Sequence, residues 1–145
     1  MAVTGTIIRG FCAVAVAAVC TVGGIGPAVA EPGPGGHMFG AFAVSGRQPD
    51  GSFIIGVAWN FPSQAAADSR AMVLCGGACR IALRFMDGCG SIVWRDDRYA
   101  GGVGRTRDEA ERNAINAVGP PFPASIIADA VAPVRIGGTR CNGQL

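Results

Sequence analysis

Two stretches of the chain carry the same pattern: SQAAADSRAMVLC at residues 63–75 and TRDEAERNAINAV at residues 106–118. Each begins with a hydroxyl residue that can cap a helix, and each has alanine at the fourth and eighth positions after it. Glu109, three residues after Thr106, completes a capping box in the second stretch. The pattern predicts two helices whose buried faces are small, so that each can lie close to a sheet.

Strand patterns surround both helices in the same order. Runs rich in aromatic and β-branched residues, bounded by turn residues such as Gln48–Gly51, predict strands. In chain order the strands are expected at 39–45, 52–59, 79–85, 89–94, 99–104 and 131–136. The sequence therefore predicts an α+β fold made of two β-β-α-β repeats, at about 39–86 and 89–136, with two helices packed on an antiparallel sheet.

The first residues have the layout of a secretory signal peptide. Arg9 supplies a positive charge, the apolar run extends over 10–25, and Ala28-Val29-Ala30 is an A-x-A cleavage site. The run is shorter than the roughly 20 residues that span a bilayer, which disfavours a membrane anchor. We expect a signal peptide at 1–30, a flexible lead-in at 31–38, and one secreted, extracytoplasmic domain at 39–145 without a membrane span.

Four cysteines remain after such a cleavage: Cys75, Cys79, Cys89 and Cys141. An even number of cysteines in a small exported domain indicates disulfides. Of the three possible pairings we favour Cys75–Cys79, across the turn that ends the first helix, with Cys89–Cys141, which ties the tail to a central strand. A zinc site is the alternative, and the uneven spacing of the thiols and the scarcity of histidine disfavour it.

Composition argues against several classes of function. All 12 basic residues are arginine, which excludes Schiff-base and P-loop chemistry, because both need a lysine amine. With 10 acidic residues the net charge is only +2, so nucleic-acid binding is not indicated. His37 is the single histidine, and no serine lies in a G-x-S-x-G motif. We expect no catalytic residue, no metal and no cofactor.

Three groups of polar residues remain as candidate sites. Gly101–Thr106, with Arg105, precedes a helix and could hold an anion there, although a glycine-rich strand and an ordinary cap explain it better. Asp96 and Asp97, near Asp87, could act as paired carboxylates or bind calcium, but a turn flanked by arginines favours a solvated hairpin. His37 lies in the lead-in, where a general base would lack a fixed orientation.

Aromatic residues form a further candidate surface. Trp59, Phe61, Trp94 and Tyr99 could bind a sugar or peptide if they were exposed, or could fill the core of an alanine-rich domain. We place Trp94 in the core and leave both possibilities open for Trp59 and Phe61.

Several segments taken together resemble one protein family. They are AMVLC at 71–75, Cys79 at the start of a strand, FMDGCG at 85–90, and YAGGVG at 99–104 followed by TRDEAE at 106–111. They are similar to a family of small exported domains, abundant in mycobacteria and related actinobacteria, known as domain of unknown function 4189. The resemblance implies an exported α+β domain without assigned catalytic residues. Val118 stands where many members have a cysteine.

Two functions of different classes follow from these observations. The first is an exported, non-catalytic domain that binds a protein or a component of the cell envelope. The second is a small secreted hydrolase acting on envelope polymers, with Asp96, Asp97 or His37 as acid or base. The two differ in geometry, because the hydrolase needs His37 and a carboxylate to meet in one concave pocket.

Overall fold

The computed structural model describes residues 31–122 and 132–144. The elements in chain order are β1 (Phe39–Ser45), β2 (Ile55–Phe61), α1 (Gln64–Cys75), β3 (Cys79–Met86), β4 (Cys89–Arg95), β5 (Arg98–Gly104), α2 (Arg107–Val118) and β6 (Arg135–Cys141). The predicted signal peptide at 1–30 lies outside the described residues. In the described ranges, neither helix has the length and apolar character needed to cross a bilayer.

The order β-β-α-β occurs twice, as the sequence predicts. Each set forms a three-stranded antiparallel sheet with its first strand in the middle, in the orders β2-β1-β3 and β5-β4-β6. The pairing is equivalent as well, since Ala43 is opposite Gly56 in one sheet and Ser91 is opposite Gly102 in the other. The α+β repeat is confirmed, and its strands are divided between two sheets.

The two sheets pack face to face, and each helix covers the outer face of its own sheet. Phe42 and Val44 of β1 pack with Ile92 of β4, whereas the alternate residues Ala41 and Ala43 pack against α1. All five side chains are buried. Successive side chains of a strand point to opposite faces of the sheet, so one face packs on the helix and the other on the second sheet. The molecule therefore has four layers, in the order helix, sheet, sheet, helix.

Large side chains are concentrated between the sheets. The ring of Phe85 lies over two glycines, because a Cβ atom would be 2.1 Å from it at Gly40 and 2.5 Å from it at Gly90. The ring centroid of Phe42 is 5.9 Å from that of Phe85. Half-buried partners complete the layer: Phe53, Ile55, Val57, Trp59, Ala82, Leu83 and Tyr99. Most of the aromatic burial therefore occurs where the two repeats meet.

Small residues allow the helices to touch the strands directly. A Cβ atom on Gly102 would lie 2.5 Å from the Ala110 carbonyl oxygen and 2.2 Å from the Ala114 nitrogen. Gly56 has the same role beneath α1, where a Cβ atom would lie 2.1 Å from the Ala71 carbonyl oxygen. The alanine faces predicted from the sequence thus pack against glycine on the neighbouring strand.

Both predicted helix caps are present. Ser63 Oγ accepts from the Ala66 amide at 3.3 Å, and Thr106 Oγ1 accepts from the Glu109 amide at 3.2 Å. The Glu109 carboxylate accepts from the amide of Arg105 at 2.8 Å, one residue before the cap, so it stabilises the entry to the helix rather than the cap residue itself.

The last strand lies further along the chain than predicted. It was expected at 131–136, whereas β6 is Arg135–Cys141, so the second repeat extends beyond 136. Gly137 and Gly138 locally disfavour a strand. A Cβ atom at Gly137 would lie 2.6 Å from the Trp94 ring and 2.4 Å from Ile55, so glycine is needed for the inter-sheet packing.

Each repeat contains one disulfide. Cys75–Cys79 closes the turn between α1 and β3, and Cys89–Cys141 links β4 to β6 at directly opposite positions. Loop-closure entropy gives about 2 kcal/mol for the first and about 4 kcal/mol for the second, because the second spans 52 residues.

We predict that Cys141→Ser lowers the melting temperature by roughly 10–20 °C, which corresponds to a loss of about 4 kcal/mol in a domain of this size. Cys79→Ser should cost about half as much free energy, because it opens a much shorter loop. Thermal unfolding followed by circular dichroism measures both. Equal shifts, or no shift for Cys141→Ser, would contradict the prediction.

We predict that Gly102→Ala destabilises the protein by about 1–3 kcal/mol, because its methyl group would overlap the backbone of α2. Gly46→Ala is the matched control, since a Cβ atom there has no neighbour within 4 Å. Urea unfolding compares the two variants. The close packing of helix on strand would be disproved if both had the stability of the wild type.

Candidate functional site

A cleft of about 680 Å³ lies at the edge of the sandwich, where β3 and β5 are neighbours. Its lining comprises Arg84, Phe85, Met86, Asp87, Gly88, Cys89, Val103, Gly104, Arg105 and Glu109. Met86 and Val103 are 52% and 46% exposed, whereas Phe85 is almost fully buried at the end of the inter-sheet layer. The cleft therefore offers apolar surface next to a rigid aromatic ring.

Four charged residues line this cleft, and three of their side chains already have partners. Arg84 forms a 2.8 Å ion pair with Asp68, which raises the pKa of Arg84. The Glu109 carboxylate accepts from the Arg105 amide, and Asp87 binds His37 and Met38. The guanidinium of Arg105 forms no hydrogen bond or ion pair with the residues that the structure describes.

His37 and Asp87 form a hydrogen-bonded pair beside the cleft. His37 Nδ1 donates to Asp87 Oδ2 at 2.5 Å, and the Met38 amide donates to Asp87 Oδ1 at 2.8 Å. These two hydrogen bonds hold the pKa of the Asp87 carboxyl below its ordinary value, and the bond from Met38 has the larger effect. The two side chains are 47% and 46% exposed. The lead-in was expected to leave His37 unoriented, but Asp87 fixes it.

The lead-in contacts the domain at Gly33 and Met38. A Cβ atom at Gly33 would lie 1.8 Å from the Pro62 carbonyl oxygen, and the Gly33 amide donates to the His37 carbonyl at 2.9 Å. Asn142, next to the Cys89–Cys141 bridge, donates from Nδ2 to the Met38 carbonyl at 2.9 Å. The lead-in therefore contacts the domain at two points, while most of its other residues are exposed.

The acidic pair at 96–97 lies at the other end of β4 from Asp87, in the predicted hairpin turn. Asp97 is exposed, but the Asp96 side chain is only 11% exposed and accepts from the Phe122 amide at 3.1 Å. Asp96 Oδ2 also lies 3.6 Å from Arg98 Nη2. Asp96 is thus a structural residue rather than a solvated one, and the geometry does not unite these acids with Asp87.

The start of α2 is already supplied with negative charge. Asp108 and Glu109 lie in its first turn, and Glu109 binds the Arg105 amide. The backbone anion site considered at Gly101–Thr106 is therefore satisfied by the chain's own carboxylates.

The four candidate aromatic residues are half-buried and packed. Trp59 and Tyr99 belong to the inter-sheet layer, with the Arg140 guanidinium 5.1 Å from the Trp59 ring centroid. Trp94 contacts Phe53 at a centroid distance of 6.3 Å, and Phe61 packs toward α1. They do not form one aromatic face.

The four cysteines of the described ranges are held in bridges, and these ranges contain no group of three or more His, Cys, Asp or Glu side chains placed to bind a metal. Sequence analysis considers Asp87 and the segment 101–106 as separate candidates, but it does not predict that they line one cleft. Met86 and Val103 lie in different repeats, and neither has a local signal that distinguishes it from an ordinary strand residue.

We predict that Asp87→Asn lowers the free energy of unfolding near neutral pH but not at very low pH. The folded-state pKa of Asp87 is below the ordinary value of about 3.9, so its stabilisation is complete above about pH 5 and is lost as the pH falls through that pKa. Asparagine tolerates the positive φ of 55° at this position. Urea unfolding at several pH values measures the difference, with Asp97→Asn as control. An equal loss at pH 2 and pH 6 would contradict the prediction.

Comparisons with known proteins find similar chains in mycobacteria. The protein Rv1269c of Mycobacterium tuberculosis is 36% identical over 83 residues, which is 57% of this chain and 62% of that protein. The uncharacterized protein Rv1813c of the same organism is 37% identical over 62 residues, or 42% of this chain and 43% of that protein. The chain thus spans less than two thirds of the length of these curated relatives.

The NMR structure of Rv1813c covers 97% of this chain and 99% of its own, with 23% identity and a TM-score of 0.43. A model of the family described as Domain of unknown function (DUF4189) matches residues 39–120. Since that match includes more than half of the chain, the protein belongs to the DUF4189 family.

Proposed function

We propose that this protein is an exported, non-catalytic binding domain, and that the cleft between β3 and β5 is its ligand surface. Two disulfides suggest an oxidising, extracytoplasmic location, and the predicted signal peptide supports export. The partner on this proposal is a protein or a component of the cell envelope.

The observation that carries the proposal is the exposed apolar surface of the cleft. Met86 and Val103 leave about half of their surface in solvent, beside the ring of Phe85. Apolar surface in a cleft of a few hundred Å³ with a few charged groups is typical of ligand sites. The Cys89–Cys141 bridge begins in the lining itself, so the cleft is held in shape before a ligand binds.

The test is capture of ligands from envelope and culture-filtrate fractions by the immobilised protein. Val103→Glu puts a charge on the apolar wall and should abolish capture of the bound species. Ile136→Glu is the matched control, because Ile136 is equally exposed at 50% but lies on β6 outside the cleft. If the wild type and Val103→Glu capture the same species, the cleft is not the ligand surface.

A second candidate function, hydrolysis, is favoured by the pairing of His37 with Asp87. With Nδ1 donating to Asp87, Nε2 of a neutral imidazole is left to accept a proton from water. Such a base would activate water for attack and return the proton to the leaving group, as in histidine–aspartate hydrolases. Asp87 lines the cleft, but His37 is not among its lining residues.

We expect no hydrolysis above the buffer rate when the protein is incubated with ester, peptide and glycan model substrates or with envelope polymers. The His37→Ala variant serves as the comparison, and mass spectrometry or chromogenic release gives the readout. Hydrolysis by the wild type that falls at least tenfold in His37→Ala would overturn the non-catalytic proposal in favour of general-base catalysis.

A further inference from the structure

We propose that Asn142 is a site of spontaneous deamidation, that Asn60 protects it in the folded protein, and that deamidation there loosens the lead-in. Asn142 follows β6 and precedes Gly143 in the single Asn-Gly dipeptide of the chain. Asparagine before glycine is especially prone to this reaction, because glycine has no side chain to hinder attack by its backbone nitrogen. The inference does not depend on any ligand of the cleft.

The reaction needs no reagent other than water. The backbone nitrogen of Gly143 loses its proton to solvent and attacks Cγ of Asn142, so that a C–N bond forms. The side-chain amide group takes a proton from solvent and leaves as ammonia. Water then opens the cyclic succinimide at either carbonyl, which gives aspartate or isoaspartate at position 142. Access of the nitrogen to Cγ therefore controls the rate.

The fold requires both residues of this dipeptide. Gly143 has a φ of 79°, a conformation that glycine adopts without strain. Asn142 uses both ends of its side-chain amide. Its Oδ1 accepts from the Asn60 backbone amide at 2.8 Å, and its Nδ2 donates to the Met38 carbonyl at 2.9 Å. The reactive dipeptide is thus part of the structure that joins the end of the chain to β2 and to the lead-in.

The same contacts hold both reacting groups. The Gly143 nitrogen donates to Asn60 Oδ1 at 2.6 Å, so it must give up this bond before it can attack. Asn60 Nδ2 donates to the Gln144 carbonyl at 3.0 Å, which fixes the backbone on the other side of Gly143. We call the hydrogen bonds between Asn60 and residues 142–144 the Asn60 clasp. While the clasp is formed, Cγ of Asn142 is not free to turn toward the nitrogen.

Deamidation removes a contact of the lead-in. A carboxylate at position 142 has no N–H to donate, so the Met38 carbonyl keeps only its bond from the Asp87 amide. Asn142 and Asp87 line one small cavity of about 140 Å³, where the new negative charge faces the Asp87 carboxylate. Loss of a donor and repulsion between the two carboxylates both weaken the attachment at Met38.

Mass spectrometry of the C-terminal peptide measures the reaction, because replacement of the amide by a carboxylate changes the mass. The wild type is incubated at mildly alkaline pH, either folded or reduced and unfolded in urea. We expect Asn142 to deamidate at least tenfold more slowly in the folded chain, since the reaction must wait for the Asn60 clasp to open. Equal rates in the two states would overturn the inference.

Two substitutions at position 60 test the clasp. Asn60→Gly removes the Oδ1 acceptor and suits the positive φ of 61°, so it should raise the rate in the folded chain at least fivefold. Asn60→Asp keeps that acceptor and should react like the wild type. Gly102→Ala, which lies beneath α2, is the control for a general loss of stability. The inference is overturned if Asn60→Gly reacts no faster than Asn60→Asp or Gly102→Ala.

Asn142→Asp imitates one product of the reaction. Hydrogen exchange at the Met38 amide should be at least threefold faster in this variant than in the wild type, because the lead-in is less firmly attached. Asn116→Asp adds the same charge to an exposed position of α2 and should leave that exchange unchanged. Equal exchange at Met38 in the two variants would overturn the proposed effect of deamidation on the lead-in.

Discussion

The layer between the two sheets is the constraint on which this fold depends. The helix-facing layers contain mainly alanine, so they bury little apolar area for each residue. The large side chains, led by Phe42 and Phe85, point the other way and would face water in a single repeat. Each β-β-α-β unit therefore needs the other, and the pair buries its aromatic residues in the middle.

This arrangement also accounts for the position of the cleft. Two stacked sheets leave their edge strands side by side, and β3 and β5 are the edges that meet beside the ring of Phe85. Part of the β5 edge is already covered, because Asn113 of α2 donates to the Val103 carbonyl at 2.8 Å. The exposed side chains, rather than the backbone, are what the cleft presents to a ligand.

Next to the cleft, a small number of polar side chains join segments that are distant in the sequence. Asn142 contacts Met38, Gly88 and Asn60 through backbone and side-chain hydrogen bonds, one residue after the long disulfide. Asp87 adds its bonds to Met38 and His37. These contacts explain why the histidine is oriented, and they join the lead-in to the domain.

The sequence by itself determined the repeat, both helices with their caps at Ser63 and Thr106, the α+β class and the family resemblance. These follow from short-range patterns, because capping and helical spacing act within a few residues. Only the tertiary structure decided that the strands form two stacked sheets, that β6 runs through Gly137 to Cys141, and that Met86 approaches Val103. His37 and Asp87 are 50 residues apart in sequence, and they meet because β3 runs antiparallel to β1. This pairing of strands is decided by burial between the repeats rather than by any local propensity.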